Sequence, residues 1–238
     1  MVSSRKWISV LALGLTMALT SACGSSGQAK VAFKNTLVDL GTMRTNALTE
    51  NTGTVTPTEF QMKLIAVYLA EDIDPVTQNN VGGTEMIYLN PACNEDISNC
   101  DLSGATYAPT YFDFSGSSAT VNAAINAQAR SVAAGSYKYV RIEFCKYNPE
   151  NAAGVKFKTA DMSEAKEFKH TNCGVTSAEA VPPIPVEEGK TVTISLAYDL
   201  DKSVFESTSA PAYDYCGPVA AGSHCFSIPQ FTPSAIIE

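Results

Sequence analysis

The stretch Thr191-Val192-Thr193-Ile194-Ser195-Leu196-Ala197-Tyr198-Asp199-Leu200 alternates without a break. Val192, Ile194, Leu196, Tyr198 and Leu200 fall on one side, and Thr193, Ser195, Ala197 and Asp199 on the other. A period of two is the signature of a pleated strand, because successive side chains point to opposite faces. One apolar face and one polar face describe a strand in a sheet with one side buried, so the chain has to supply a second layer to cover it. Tyr139-Val140-Arg141-Ile142-Glu143-Phe144 repeats the pattern with Val140, Ile142 and Phe144 inward, which predicts Tyr137 and Tyr139 on the outer face. Phe60–Leu64 repeats it again and runs into Ile65-Ala66-Val67-Tyr68-Leu69, whose continuous apolar character predicts a strand central in its sheet. Val31–Phe33, Glu85–Leu89, Tyr111–Phe114, Val155–Lys158 and Phe226–Ile228 read as shorter strands.

Turn chemistry separates these runs. Asn79-Asn80-Val81-Gly82-Gly83, Asn148-Pro149-Glu150-Asn151, Pro182-Pro183-Ile184-Pro185 and Glu187-Glu188-Gly189-Lys190 all interrupt periodicity and predict turns. One segment has helical spacing: Ser118 as cap, then Val121, Ala124, Ile125, Gln128 and Val132 on one side, ended by Gly135. Ser163–Lys169 is compatible with a second helix. Many short strands between turn signals predict an all-β fold, an antiparallel β-sandwich with one short helix, formed by residues 31–238 as a single domain.

The N-terminal segment has a different character. Arg5 and Lys6 precede an apolar run from Trp7 to Leu19, and Leu19-Thr20-Ser21-Ala22-Cys23 closes it with small residues and a cysteine. The run is too short for a bilayer span, which needs about 20 apolar residues. Basic start, apolar core and small exit residues make a secretory signal over residues 1–22. A cysteine at that point looks like a bacterial lipobox, so Cys23 is predicted to be acylated and to become the new first residue. Gly24-Ser25-Ser26-Gly27-Gln28-Ala29-Lys30 then reads as a flexible tether, 23–30 with the cysteine. Gly24 is not the aspartate associated with inner-membrane retention in enteric bacteria. The expected location is therefore the bacterial outer membrane, held by lipid, with the face open.

Arg5 and Lys6 leave with the signal, so the remainder carries 14 basic against 24 acidic residues, a formal charge of −10. That surface argues against nucleic acid and against a polybasic membrane patch. Beyond Cys23 stand six cysteines, and an even set behind a signal peptide reads as disulfides. Spacing favours local closure: Cys93–Cys100 and Cys216–Cys225, which leaves Cys145–Cys173. Metal ligation is the rival, but no pair has zinc-knuckle spacing, and only His170 and His224 could assist.

Two stretches resemble the DUF4382-type bacterial lipoprotein β-sandwich domains. Gly135-Ser136-Tyr137-Lys138-Tyr139-Val140-Arg141 is similar to that family's Gly-Ser/Thr-Tyr start of a strand, with Ile or Val and then Arg. Gly189-Lys190-Thr191, followed by Asp199-Leu200-Asp201-Lys202-Ser203, is similar to its Gly-Lys-Thr turn and acidic strand end. The match covers about thirty residues in the expected order. The resemblance implies a transthyretin- or immunoglobulin-like sandwich on an exported lipoprotein, and it carries no catalytic residue.

Chemistry-bearing residues are sparse. Asp199 and Asp201 at a strand end have the spacing of oxygen ligands for Ca²⁺, but no glycine-punctuated calcium loop surrounds them, so a solvated face is favoured. Asp72-Ile73-Asp74 reads the same way. Glu95 and Asp96 lie inside the predicted Cys93–Cys100 loop, and Tyr213 and Tyr215 flank Asp214 beside Cys216. These four are the predicted contact residues, because a rigid acidic loop and exposed tyrosines suit an ion, a protein or a glycan. No Gly-x-Ser-x-Gly elbow occurs, and neither histidine follows a recognisable element. The expectation is a non-enzyme without metal or cofactor: a lipid-anchored binding or adhesion module. A structural or assembly lipoprotein and a hydrolase with unrecognised residues are the alternatives.

Overall fold

The structure is a computed structural model that describes residues 25–35, 56–91, 93, 111–125, 127–144, 153–169, 175–198, 200, 204–207, 216–219, 222–226 and 231–238. In chain order the strands are β1 (Ser26–Asn35), β2 (Glu59–Met62), β3 (Leu64–Ile73), β4 (Asn80–Leu89), β5 (Phe112–Asp113), β6 (Arg130–Ala133), β7 (Gly135–Phe144) and β8 (Ala153–Lys158). They continue as β9 (Lys166–Lys169), β10 (Val175–Val186), β11 (Thr191–Tyr198), β12 (Val204–Ser207), β13 (Cys216–Val219), β14 (Gly222–Phe226) and β15 (Phe231–Ile237). One helix, α1 (Ser118–Ile125), lies between β5 and β6.

Two four-stranded sheets, ordered β15-β11-β1-β6 and β10-β7-β3-β4, face each other across one core. The first contributes Ala29, Val31, Phe33, Val192, Ile194, Leu196 and Tyr198, and the second Val67, Leu69, Val140, Ile142 and Phe144. The alternating residues of β7 and β11 therefore point where their periodicity predicts. The fold is an all-β sandwich with one short helix. The smaller sheet β5-β2-β8-β9 extends the core with Phe60, Met62, Phe112, Val155 and Phe157, and β12-β14-β13 forms a third strand ribbon. β3 is buried on both faces: Ile65 and Ala66 turn away from the main core and pack with Leu89 and Cys93. Among the described residues no helix is long and apolar enough to cross a membrane.

Several expectations change. One pair is parallel: β1 runs alongside β11 from Gln28↔Thr191 to Asn35↔Tyr198. A parallel pair needs a long connection, and nearly the whole domain lies between these two strands. The predicted tether is strand from Ser26 onward. Gln28 N–H donates to Lys190 O at 2.8 Å, and Gly189 N–H donates to Ser26 O at 3.0 Å. Gly27 is there for close approach, since a Cβ on it would stand 2.3 Å from Glu187 O. Its glycine character read as flexibility in the sequence, and here it permits packing.

Pro182-Pro183-Ile184-Pro185 is not a turn but part of β10, a sheet edge, where prolines cost no ladder bond; the β10–β7 register shifts between Glu179 and Ile184. Pro233 sits likewise in edge strand β15, which the sequence pattern did not reveal. Near that β10 irregularity the alternation of β7 also slips by one. Tyr137 is consequently buried, at 2 % exposure, rather than outward, and its hydroxyl donates to Ala133 O at 2.8 Å. Burial pushes its pKa up to about 12. The Gly82-Gly83 pair lies within β4, not in the turn. Gly82 has φ 80°, and Gly83 N–H donates to the Glu71 carboxylate at 2.9 Å. Lys166–Lys169 is strand β9, not helix.

Candidate functional site: a cleft beside Arg130

β6 covers the edge of β1 only from Ser26 to Ala29. Further along, α1 takes over that edge. Asn122 on α1 accepts from Phe33 N–H at 2.8 Å through Oδ1 and donates from Nδ2 to Phe33 O at 2.9 Å. One side-chain amide thus satisfies both backbone groups of a strand residue that has no strand neighbour there. The helix starts at Ser117, whose carbonyl accepts from Val121 N–H at 3.2 Å and whose hydroxyl accepts from Thr120 N–H at 3.4 Å. The cap is therefore Ser117, not Ser118; the Ser118 hydroxyl accepts from Asn35 N–H at 2.7 Å. Val121 and Ile125, one turn apart, bury the inner face. The helix ends at Ile125, and the predicted helical positions Gln128 and Val132 lie in the connection to β6 and in β6 itself. Helical spacing continued past the point where the chain must turn to pair with β1.

Opposite this connection stands the end of β4. Asn90 is fully buried and ties it down: Nδ2 donates to Leu64 O at 2.9 Å, and its N–H donates to Ile65 O at 2.7 Å. Cys93 N–H returns to Asn90 O at 2.8 Å, which bends the chain through Pro91. Between these walls opens a cleft of about 560 Å³. Ile87, Tyr88, Leu89, Asn90, Pro91 and Cys93 line one side; Ala124, Ile125, Ala127, Gln128, Ala129 and Arg130 line the other. Its size is in the range that takes a small organic ligand.

Arg130 is the one charged residue of this lining, and among the described residues it forms no ion pair. Some other cations are engaged, Lys30 with Glu238 at 3.3 Å and Lys138 with Asp72 at 2.9 Å, but what sets Arg130 apart is its place in the cleft lining. A planar guanidinium presents a fork of donors that matches a carboxylate, sulfonate or phosphate. With Tyr88 and the aliphatic walls, the cleft is suited to an apolar body carrying one anionic group.

The described residues do not reach most of the sequence-predicted contact residues. Glu95, Asp96, Tyr213 and Tyr215 lie outside the described residues, as do His170, Asp199, Asp201, Cys23, Cys100, Cys145 and Cys173. His224 is on β14, opposite Gly217 and Glu206 in register. Asp72 is held by Lys138 and by Ile73 N–H, and Asp74 Oδ1 accepts from Val76 N–H at 2.8 Å and Thr77 N–H at 2.7 Å. The hydrogen bond from Lys138 holds the Asp72 carboxyl below its ordinary range, and the turn amides do the same for Asp74. Both acids shape the β3–β4 hairpin. The cleft itself left one sequence signal, the small residues Ala123, Ala124, Ala127 and Ala129 leading to a lone Arg130. Small side chains leave room on a face that a core helix would fill.

Compared with known proteins, the chain matches no family model, no curated protein and no solved structure.

Proposed function

We propose that the chain is an exported β-sandwich lipoprotein, anchored to the bacterial outer membrane through lipid on Cys23, that binds an apolar ligand with one anionic group. The observation that carries the binding reading is the cleft with Arg130 at its rim and no charge besides it in the lining. The lipobox pattern and the resemblance to the DUF4382-type domains support the anchor and the class.

The cysteines support export. Cys93 is disulfide-bonded. Cys216 and Cys225 stand directly opposite in the β13–β14 register, a separation that suits a disulfide. The β10–β7 ladder pairs Val175 with Glu143, Thr176 with Ile142 and Ser177 with Arg141. Non-reducing peptide mapping is expected to recover Cys93–Cys100, Cys145–Cys173 and Cys216–Cys225. A peptide joining Cys145 to any other cysteine contradicts the scheme.

The cleft is tested with anilinonaphthalene sulfonate, which has an aromatic body and one sulfonate. It is expected to bind the folded protein with one-to-one stoichiometry. Loss of the charge-assisted bonds in Arg130→Gln is expected to weaken it about tenfold. Ala124 is exposed on the helix, so Ala124→Trp fills the cleft without touching the core and is expected to abolish binding. Binding that both variants leave intact would remove the cleft from the proposal.

A further inference from the structure

The lipid on Cys23 and the start of β1 are close enough in sequence to orient the whole domain. Ser25 is already fastened to the sandwich, because Ala134 N–H donates to Ser25 O at 3.0 Å. Between Ser25 and Cys23 stands only Gly24. Even fully extended, that stretch reaches about 7 Å. A domain on so short a leash has no freedom to turn its far end to the bilayer, since a ten-residue strand spans roughly 33 Å.

The topology defines what lies at the leashed end. β1 starts there, as do β7 and β11, and β10 finishes there, with Ser26 opposite Ala133 and Val186 opposite Gly135. The β10–β11 turn is bound to Ser26 through Gly189. β15 also ends there, with Ile237 opposite Val192 and Ile236 opposite Thr193. β3 runs antiparallel to β7 and finishes at this end, while the β3–β4 turn is held back toward the middle of β7, where Arg141 donates to Gln78 O at 3.0 Å and to the Asn80 side chain.

This end holds exposed apolar side chains. Ile236 and Ile237 there are 60 % and 44 % exposed; Val76, at 87 %, stands on the turn that Arg141 holds back. The remaining exposed large hydrophobics among the described residues, Val81 and Val181, lie in the same half, at the levels of Asp72 and of Tyr137 to Tyr139. At the opposite end the aromatic residues are buried: Phe33, Phe114, Tyr198, Phe144 and Phe231 pack on one another. At the leashed end Lys30–Glu238 and Lys138–Asp72 are paired, and Glu187 and Glu188 against Lys190 leave an acidic balance. Such a surface suits zwitterionic phospholipid and not an anionic one.

We propose that this end is a membrane-docking surface, on which Ile236 and Ile237 meet the phospholipid that holds Cys23. The inference rests on the lipid-anchor reading. It directs the end bearing Asn35, Gly116 and Ser118 away from the bilayer and leaves the Arg130 cleft opening sideways.

The chain contains one tryptophan, Trp7, which signal removal takes away, so a single introduced tryptophan reports its own depth. Full-length protein carrying Ile236→Trp, Ile237→Trp or Gly116→Trp is processed in cells, purified in detergent and reconstituted into phosphatidylcholine vesicles with brominated acyl chains. Gly116 tolerates the reporter, as its Cβ meets nothing within 4 Å. Co-flotation with vesicles reads the anchor, and bromine quenching reads the orientation. The expected result is flotation of all three, with quenching at positions 236 and 237 several-fold stronger than at 116. Flotation with equal quenching at all positions, or with strongest quenching at 116, overturns the docking surface and leaves the anchor standing. Absence of flotation overturns the anchor and the docking surface with it.

Discussion

Phe33→Ala is expected to lower the unfolding free energy by about 3–5 kcal/mol, the cost of deleting a buried aromatic ring and leaving its cavity. The ring is 1 % exposed and lies at the centre of an aromatic cluster. It meets Phe114 edge-on at 5.3 Å, Phe231 at 5.8 Å and Tyr198 at 6.5 Å between centroids. Those partners come from the segment before α1, from β15 and from β11, so one deletion loosens three parts of the chain. The surroundings have little freedom to collapse into the space. Tyr198 is tied by its hydroxyl to Phe114 O at 3.0 Å, and the Phe33 backbone is clamped by Asn122. A small domain has a total stability of only about 5–15 kcal/mol, so the loss is a large share of it. For a body of this size it corresponds to a fall in Tm of roughly 6–20 °C. Urea unfolding followed by near-ultraviolet circular dichroism measures it with disulfides intact. A loss below about 1 kcal/mol would mean that β1 is not seated in the core as described.

That seat shows where sequence reading works and where it stops. Strands with clean alternation, β7 and β11, were legible because one residue in two carries the burial signal and nothing competes with it. β3 was legible as a central strand from its unbroken apolar run. β1 was legible only in Val31–Phe33. Its first half is Ser-Gly-Gln-Ala, and the reasons those residues form strand are non-local: the Glu187 carbonyl against Gly27 and the Lys190 carbonyl for Gln28 N–H. β10 and β15 hid behind prolines, whose turn meaning holds in the interior of a sheet and lapses at its edges. Tyr137 was placed outward because parity was counted through a slip that only the register of the neighbouring strand reveals.

The candidate site was less legible still. Its walls come from residues 87–93 and 124–130, which are brought together because β4 and β6 are the edges of two facing sheets. No local pattern encodes that meeting. The Ala-rich segment read as the continuation of a helix, and no local pattern marks Arg130. What singles it out is position: a guanidinium at the rim of an otherwise uncharged cleft, on a chain whose formal charge is −8.

Cys23→Ala is expected to move the protein from the membrane fraction almost wholly into the soluble fraction of cells, with the fold unchanged. Magnitudes decide this. Each acyl methylene buried in a bilayer contributes about 0.8 kcal/mol, and two or more chains hold a protein stably where one is marginal. The docking end alone is much weaker. Ile236 and Ile237 are already partly covered in the fold. Burying what remains of them yields about 3–4 kcal/mol at most, which corresponds to millimolar affinity. Surface charge adds nothing, since acidic groups dominate. The fold is expected not to depend on the lipid, because among the described residues the bonds that order the chain begin at Ser25. The variant is therefore expected to melt at the temperature of the detergent-solubilised wild type while no longer requiring detergent. Protease applied to intact cells separates the two faces of the outer membrane: cleavage of the wild type points to an outward-facing sandwich, and full protection to a periplasmic one. Release of the wild type without detergent would contradict acylation, and with it the short leash that orients the domain.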